Sequence, residues 1–264
     1  MNRYWLALSD ASIKIVANLS SGQRFMAFDT SFWVIIAFGS NMSEKSSIFD
    51  MIGPVMIGPS SSHTAGVVRI ARAAIKVLGA IPDEAEIIFY NSFARTYEGH
   101  GSDRAIIAGL MDFQTDDKRI KESLEIATER GFIYHFKSIG NASTLHPNSI
   151  RVRLKKGDKT IEVLGESKGG GIINIAEVNG FKADFSANLH TTIIFADDVK
   201  GSIAFIADVL AHDDCNIATM SVSRKGKNDL ACQVIEMDSG IKPVTFEYLK
   251  SLSWIKEVIY IPQI

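Results

Sequence analysis

The hydrophobic period of this chain changes near residue 132, and that change limits what it can fold into. Upstream, Val67, Ile70, Ala71, Ala74, Ile75 and Leu78 recur at helical spacing while Arg69, Arg72 and Lys76 collect on another face, so residues 66–79 predict an amphipathic helix. "AEIIFYNSF" (85–93) is rich in β-formers and short enough for a buried strand. "SDRAIIAGLMD" (102–112) opens on a capping serine and an acidic first turn, and "KRIKESLEIATERG" (118–131) runs to a glycine stop, so both predict helices. Downstream the period falls toward two. "SIRVRL" alternates Ile150, Val152 and Leu154 with Arg151 and Arg153, and "KKGD" can turn it back into "TIEVLG", a hairpin with one wet face. "GGG" at 169–171 and "NG" at 179–180 punctuate two more strand-like pieces. This part of the chain therefore predicts an α+β fold on a largely antiparallel sheet.

A second unit starts near Asn188. "HTTIIFA" reads as a strand, "GSIAFIADVLAHDD" as a helix, residues 216–238 as two strands about a polar turn, "PVTFEYLKSL" as a helix and "IKEVIYI" as a last strand. The order is βαββαβ, a ferredoxin-like layout. With the loop "DDVKGSIAFIADVL" after its first strand, it resembles an ACT domain, a small-molecule sensor attached to enzymes of amino-acid metabolism. Three segments are thus expected: an N-terminal extension, 1–41, with little order; a substrate-binding-type α+β domain, 42–187; and an ACT domain, 188–264.

Composition narrows the function classes. A chain of 264 residues with 46% hydrophobic and 22% charged residues and net charge -2 is an ordinary globular protein, with no electrostatic reason to bind nucleic acid. The apolar run at 32–38 is too short for a membrane span and lies too far in for a signal peptide. Met42 opens "MSEKSSIFDMIGP", which reads as an ordinary soluble N-terminus, so residues 1–41 are expected to have no functional role; a tethering helix is the rival reading. With Cys215 and Cys232 alone, the chain cannot build a four-cysteine metal site, and it fits a reducing cytoplasm. No metal site is expected on this chain.

Two histidine loops carry the chemistry. In "IGPSSSHTAGVVRIARAA" (57–74), Pro59 ends a turn and Ser60, Ser61, Ser62, His63 and Thr64 lead into the amphipathic helix, where unpaired backbone N–H groups and the helix dipole favour an anion. One serine alone would be a helix cap. Three serines and a histidine exceed what a cap requires, and a carboxylate or phosphate fits. In "RTYEGHGSDRA" (95–105), Gly99 and Gly101 hold His100 out from the chain, and Ser102 and Asp103 open the next helix. Together the loops predict a shared pocket for a small anion. "HPNS" (146–149) is a third candidate, although turn chemistry explains it equally well.

"SIFDMIGPVMIGPSSSHTAG", "TYEGHGSD", "HPNS" and "GGG", ahead of an ACT-like segment, closely resemble the beta subunit of bacterial iron–sulfur-dependent L-serine dehydratase from about residue 46 to the end. The resemblance implies deamination of L-serine to pyruvate and ammonia, with a [4Fe-4S] cluster as Lewis acid held by cysteines of an alpha subunit. It implies that Ser60, Ser61, Ser62, Thr64, Ser102 and Asp103 bind substrate, and that His63 and His100 line the pocket as catalytic candidates. Ser102 stands where threonine is common in the family, and Lys168 where an apolar residue is common. Asp198 and Gly201 lie where ACT domains often take an amino-acid effector, with helix capping as the other reading. The expected partners are the alpha subunit, L-serine and further copies of the chain in a higher oligomer. A free-standing amino-acid sensor is the competing class.

Overall fold

The computed structural model describes the strands within residues 4–28, and residues 55–140, 144–226 and 229–264 with their side chains. Contacts divide the chain into two units, Met1–Ser47 and Ile48–Ile264. In the first, β1 (Tyr4–Leu8), β2 (Ala11–Asn18) and β3 (Gln23–Phe28) form an antiparallel meander. The run at 32–38 and the Met42 start lie outside the described residues.

The second unit is mixed α+β and mostly antiparallel. Its larger sheet contains β4 (Glu84–Tyr90), β5 (Ile133–Ile139), β6 (Ser149–Lys156), β7 (Lys159–Gly169), β8 (Ile172–Val178) and β9 (Phe181–Phe185), in the order β5-β4-β6-β7-β8-β9. Among the described strands of this sheet, β4 and β5 alone pair in parallel, because the helices between them carry the chain back to the same end. Along β6, Ile150, Val152 and Leu154 are fully buried. Arg151 and Arg153 face the other way, where they join Glu86, Glu162 and Glu177 in a ladder of ion pairs on the wet face.

Helix α1 (Gly66–Leu78) crosses the dry face and ends at Gly79 in the left-handed conformation (φ 84°). Its apolar stripe buries Val67, Ile70, Ala74 and Val77, and burial of this kind is worth roughly 1.5–3 kcal/mol per large aliphatic side chain. Two glycines let neighbouring backbone come close: a Cβ on Gly165 would sit 2.4 Å from Ile70 Cγ2, and one on Gly109 would sit 2.5 Å from the Val68 carbonyl oxygen.

Three sequence expectations are corrected locally. The strand expected over 85–93 stops at Tyr90, where Asn91 takes a left-handed conformation (φ 51°) and starts α2 (Asn91–Thr96). Asparagine tolerates that conformation better than other non-glycine residues. The helix α3 (Ser102–Leu110) is capped by Gly101 (φ 69°), not by the Ser102 side chain. The helix expected over 118–131 divides into a 3-10 turn (Lys118–Glu122) and α4 (Ser123–Glu129).

The C-terminal segment has the expected βαββαβ order: β10 (His190–Asp197), α5 (Ser202–His212), β11 (Ile217–Arg224), β12 (Leu230–Met237), α6 (Pro243–Ser251) and β13 (Ile255–Ile261). Its four strands form an antiparallel sheet in the order β11-β12-β10-β13. Ile194, Ile235 and Val258 face α5 and α6 in a core of their own, whereas Ile193, Val234 and Ile259 face the other way and join the core beneath α1. No helix among the described residues is long and apolar enough to cross a membrane.

Candidate functional site

The serine-histidine loop is not a loop. Residues Ser61–Ala65 form a single π-turn that runs directly into α1, with Ser60 as its N-cap. Such turns are rare and concentrate at functional sites. Ser60 Oγ accepts from the His63 amide at 3.2 Å, and the Ser60 carbonyl accepts from the Thr64 amide at 2.8 Å. The amides of Ser61 and Ser62 stand at the open N-terminal end, where a helix supplies no acceptor of its own.

His63 is the centre of the cluster. Its Nδ1 lies 3.1 Å from Ser62 Oγ and 3.3 Å from Ser60 Oγ, and its Nε2 lies 3.2 Å from Thr96 Oγ1. Edge-on contacts with Phe93 and His100, at centroid separations of 4.8 and 4.7 Å, fix the ring plane. Burial lowers the His63 pKa below 6.5, and the neighbouring His100 lowers it further, so the ring is held neutral. His100 itself is exposed on the GHG turn, and its amide donates to the Thr96 carbonyl at 3.0 Å. The structure therefore brings both histidine loops together through α2. Thr96 opens the "TYEGHGSD" stretch, but the sequence reading gave it no role; its position one turn before His100 was the available signal.

The other candidates divide. Ser60, Ser61 and Ser62 lie at the mouth of the site, partly exposed. Thr64 points inward: it is 1% exposed, it packs under Gly58, and its Oγ1 has no hydrogen-bond partner among the described residues. Ser102 is fully buried, and its Oγ donates to the His63 carbonyl at 2.9 Å, which ties α3 to the π-turn. Asp103 is half-buried, with Oδ1 unpartnered among the described residues; burial raises its pKa, although the Arg104 amide opposes this. The third motif and the residue before it tie to the start of α2: the Ser92 amide donates to the Pro147 carbonyl at 2.9 Å, and Asn91 Nδ2 donates to the Leu145 carbonyl at 3.0 Å. Burial lowers the His146 pKa, with Lys168 adding to the effect.

Far from this cluster in the sequence, Gly201 (φ 83°) caps α5, and Asp198 Oδ2 accepts from Arg224 Nη1 at 2.8 Å. No group of three or more His, Cys, Asp or Glu residues is placed to hold a metal among the described residues. Both cysteines are buried, and desolvation pushes the Cys232 thiol up to about 12, which disfavours the thiolate that metal ligation needs.

The model of the serine dehydratase beta chain family matches residues 47–131, the stretch that holds the π-turn, α1, α2, α3 and α4. Over 212 residues the chain is 43% identical to the probable L-serine dehydratase beta chain of Bacillus subtilis (strain 168), covering 80% of this chain and 96% of that one. The chain belongs to the serine dehydratase beta chain family. The L-serine dehydratase beta chain of Peptoniphilus asaccharolyticus is 34% identical over 206 residues, 78% of this chain and 91% of that one. A shorter likeness, 28% over 157 residues, links it to 29% of the D-3-phosphoglycerate dehydrogenase of Bacillus subtilis (strain 168). Within the family frame, both histidine loops fall in the matched stretch.

Proposed function

We propose that this chain is the beta subunit of an iron–sulfur-dependent L-serine dehydratase, a lyase that deaminates L-serine to pyruvate and ammonia only together with an alpha subunit. The observation that carries this reading is the convergence of His63 and His100 at a ring separation of 4.7 Å, beside the open amide end of the π-turn. In the proposed assembly the [4Fe-4S] cluster is ligated by alpha-subunit cysteines and supplies the Lewis acid that makes the substrate hydroxyl a leaving group.

This chain supplies the cradle. The Ser61 and Ser62 amides at the open end of the π-turn hold the substrate carboxylate, because they are donors that bury no charge. Neutral His63 offers a lone pair to a proton, and exposed His100 stands where it can meet substrate or the alpha subunit. Ser102 acts through the His63 carbonyl rather than on substrate, and Thr64 packs inside the turn. The βαββαβ segment is assigned the part of an ACT-type domain that takes an amino-acid effector beside Asp198 and Gly201 and supports self-association. The enzyme is placed in the cytoplasm.

The test is co-expression with the partner chain, anaerobic purification, an iron and sulfide assay, and pyruvate release from L-serine against L-threonine. The purified beta chain is expected to be inactive by itself and active in the assembly. Serine turnover by the beta chain alone would overturn the two-subunit reading.

A further inference from the structure

Thr96 is the residue on which both histidine loops hang, and its hydroxyl carries a single proton. Thr96 Oγ1 lies 2.9 Å from the Ser92 carbonyl, a pure acceptor, and 3.2 Å from His63 Nε2. Since the hydroxyl proton is committed to the carbonyl, the contact with Nε2 is satisfied only if the ring nitrogen donates. We propose that Thr96 is a positioning residue that holds His63 as the Nε2–H tautomer and so turns the Nδ1 lone pair toward Ser60 and Ser62, at the mouth of the turn.

The remaining hydrogen bonds close consistently around that choice. Ser60 Oγ accepts the His63 amide, Ser60 and Ser62 are 3.3 Å apart, and Ser62 is the nearer hydroxyl to Nδ1 at 3.1 Å. Ser62 therefore donates to Nδ1, Ser60 donates to Ser62, and every hydroxyl donates once. The opposite tautomer would leave Nε2 and Thr96 Oγ1 as two acceptors facing each other unless Thr96 abandoned Ser92. Thr96 also sets the second loop, because its carbonyl accepts the His100 amide. The orienting partner on one ring nitrogen decides what the other can do.

The inference rests on the reading of His63 as a site residue only for its effect on turnover, and the tautomer can be measured without turnover. In the full chain labelled with 15N-histidine, His63 is assigned by its disappearance in His63→Asn, and the two ring nitrogens are distinguished by their couplings to the ring protons. The unsubstituted chain is expected to show a protonated Nε2 and an unprotonated Nδ1. Thr96→Ser keeps this assignment, and Thr96→Val loses it, with both nitrogens moving toward an averaged shift. In the assembled enzyme Thr96→Val lowers kcat about five- to tenfold with a smaller change in KM, the size of one hydrogen bond, and Thr96→Ser restores it. An Nδ1–H ring in the unsubstituted chain, or an unchanged tautomer in Thr96→Val, overturns the proposal. Loss of the tautomer with kcat unchanged supports the positioning and instead overturns the place of His63 in the site.

Discussion

At the scale of single residues, the site depends on His63, which burial and the neighbouring His100 push toward the neutral form. Burial lowers the pKa of His63 and of His146 below 6.5. The unfolded chain, whose histidines keep the ordinary value, therefore binds protons first as pH falls. The stability that neutral His63 contributes is complete above about pH 6.5 and is lost as pH falls through its lowered folded value. Denaturant midpoints measured from pH 7.5 downward are expected to drop on this limb, and His63→Gln should flatten it; an equal slope in both proteins would contradict the assignment. Ser60→Ala removes the cap of the π-turn and is expected to cost about 1 kcal/mol, read from urea unfolding. Ser60, Ser61, Ser62, His63 and His100 were legible in the sequence because hydroxyls and imidazoles crowd beside glycine and helix starts. Thr96 and the inward turn of Ser102 were not, because each contact joins residues more than 30 apart in the chain.

Among the elements, α1 sets where the site is, since the π-turn that carries the serines runs directly into it and its length is clamped between α3 and the sheet. Gly109 is where α3 meets α1. A Cβ there would lie 2.5 Å from the Val68 carbonyl oxygen and 2.6 Å from Ala71 Cβ, and backbone cannot step aside as a flexible side chain could. Gly109→Ala is expected to destabilise by about 1–3 kcal/mol. Because the π-turn continues α1, the same variant should also shift the His63 ring signals in the NMR spectrum, whereas a midpoint equal to that of the unsubstituted chain would show that the two helices can separate freely. The bounds of α1 and the β6–β7 hairpin were legible, because period 3.6 with a glycine stop and period 2 with a glycine turn are local signals. The parallel pairing of β4 with β5 was not, since strand partners are chosen by the crossover between them.

For the whole molecule, the decisive feature of Ile48–Ile264 is a sheet used on both faces. The β10–β13 sheet closes a core with α5 and α6 on one side and completes the core beneath α1 on the other. Polar ties reinforce the seam: Arg69 donates to the Gly171 carbonyl, to Asn188 Oδ1 and to the Ile264 carbonyl at 2.5–2.8 Å, and Glu236 Oε1 accepts from the Ser186 amide and hydroxyl. Residues sharing one core unfold together, so calorimetry is expected to show a single transition for this unit, with van't Hoff and calorimetric enthalpies equal. Arg69→Met should lower its stability by about 2 kcal/mol without splitting it; two resolved transitions in the unsubstituted protein would show that the seam is weak. By itself the sequence determined the α+β class, the βαββαβ order and the two histidine loops, because periodicity, turn residues and helix starts act over a few neighbours. Only the tertiary structure decided that the loops meet through Thr96, and that the C-terminal sheet shares the core of the rest. Those outcomes depend on which buried faces find each other, a choice made across the whole chain.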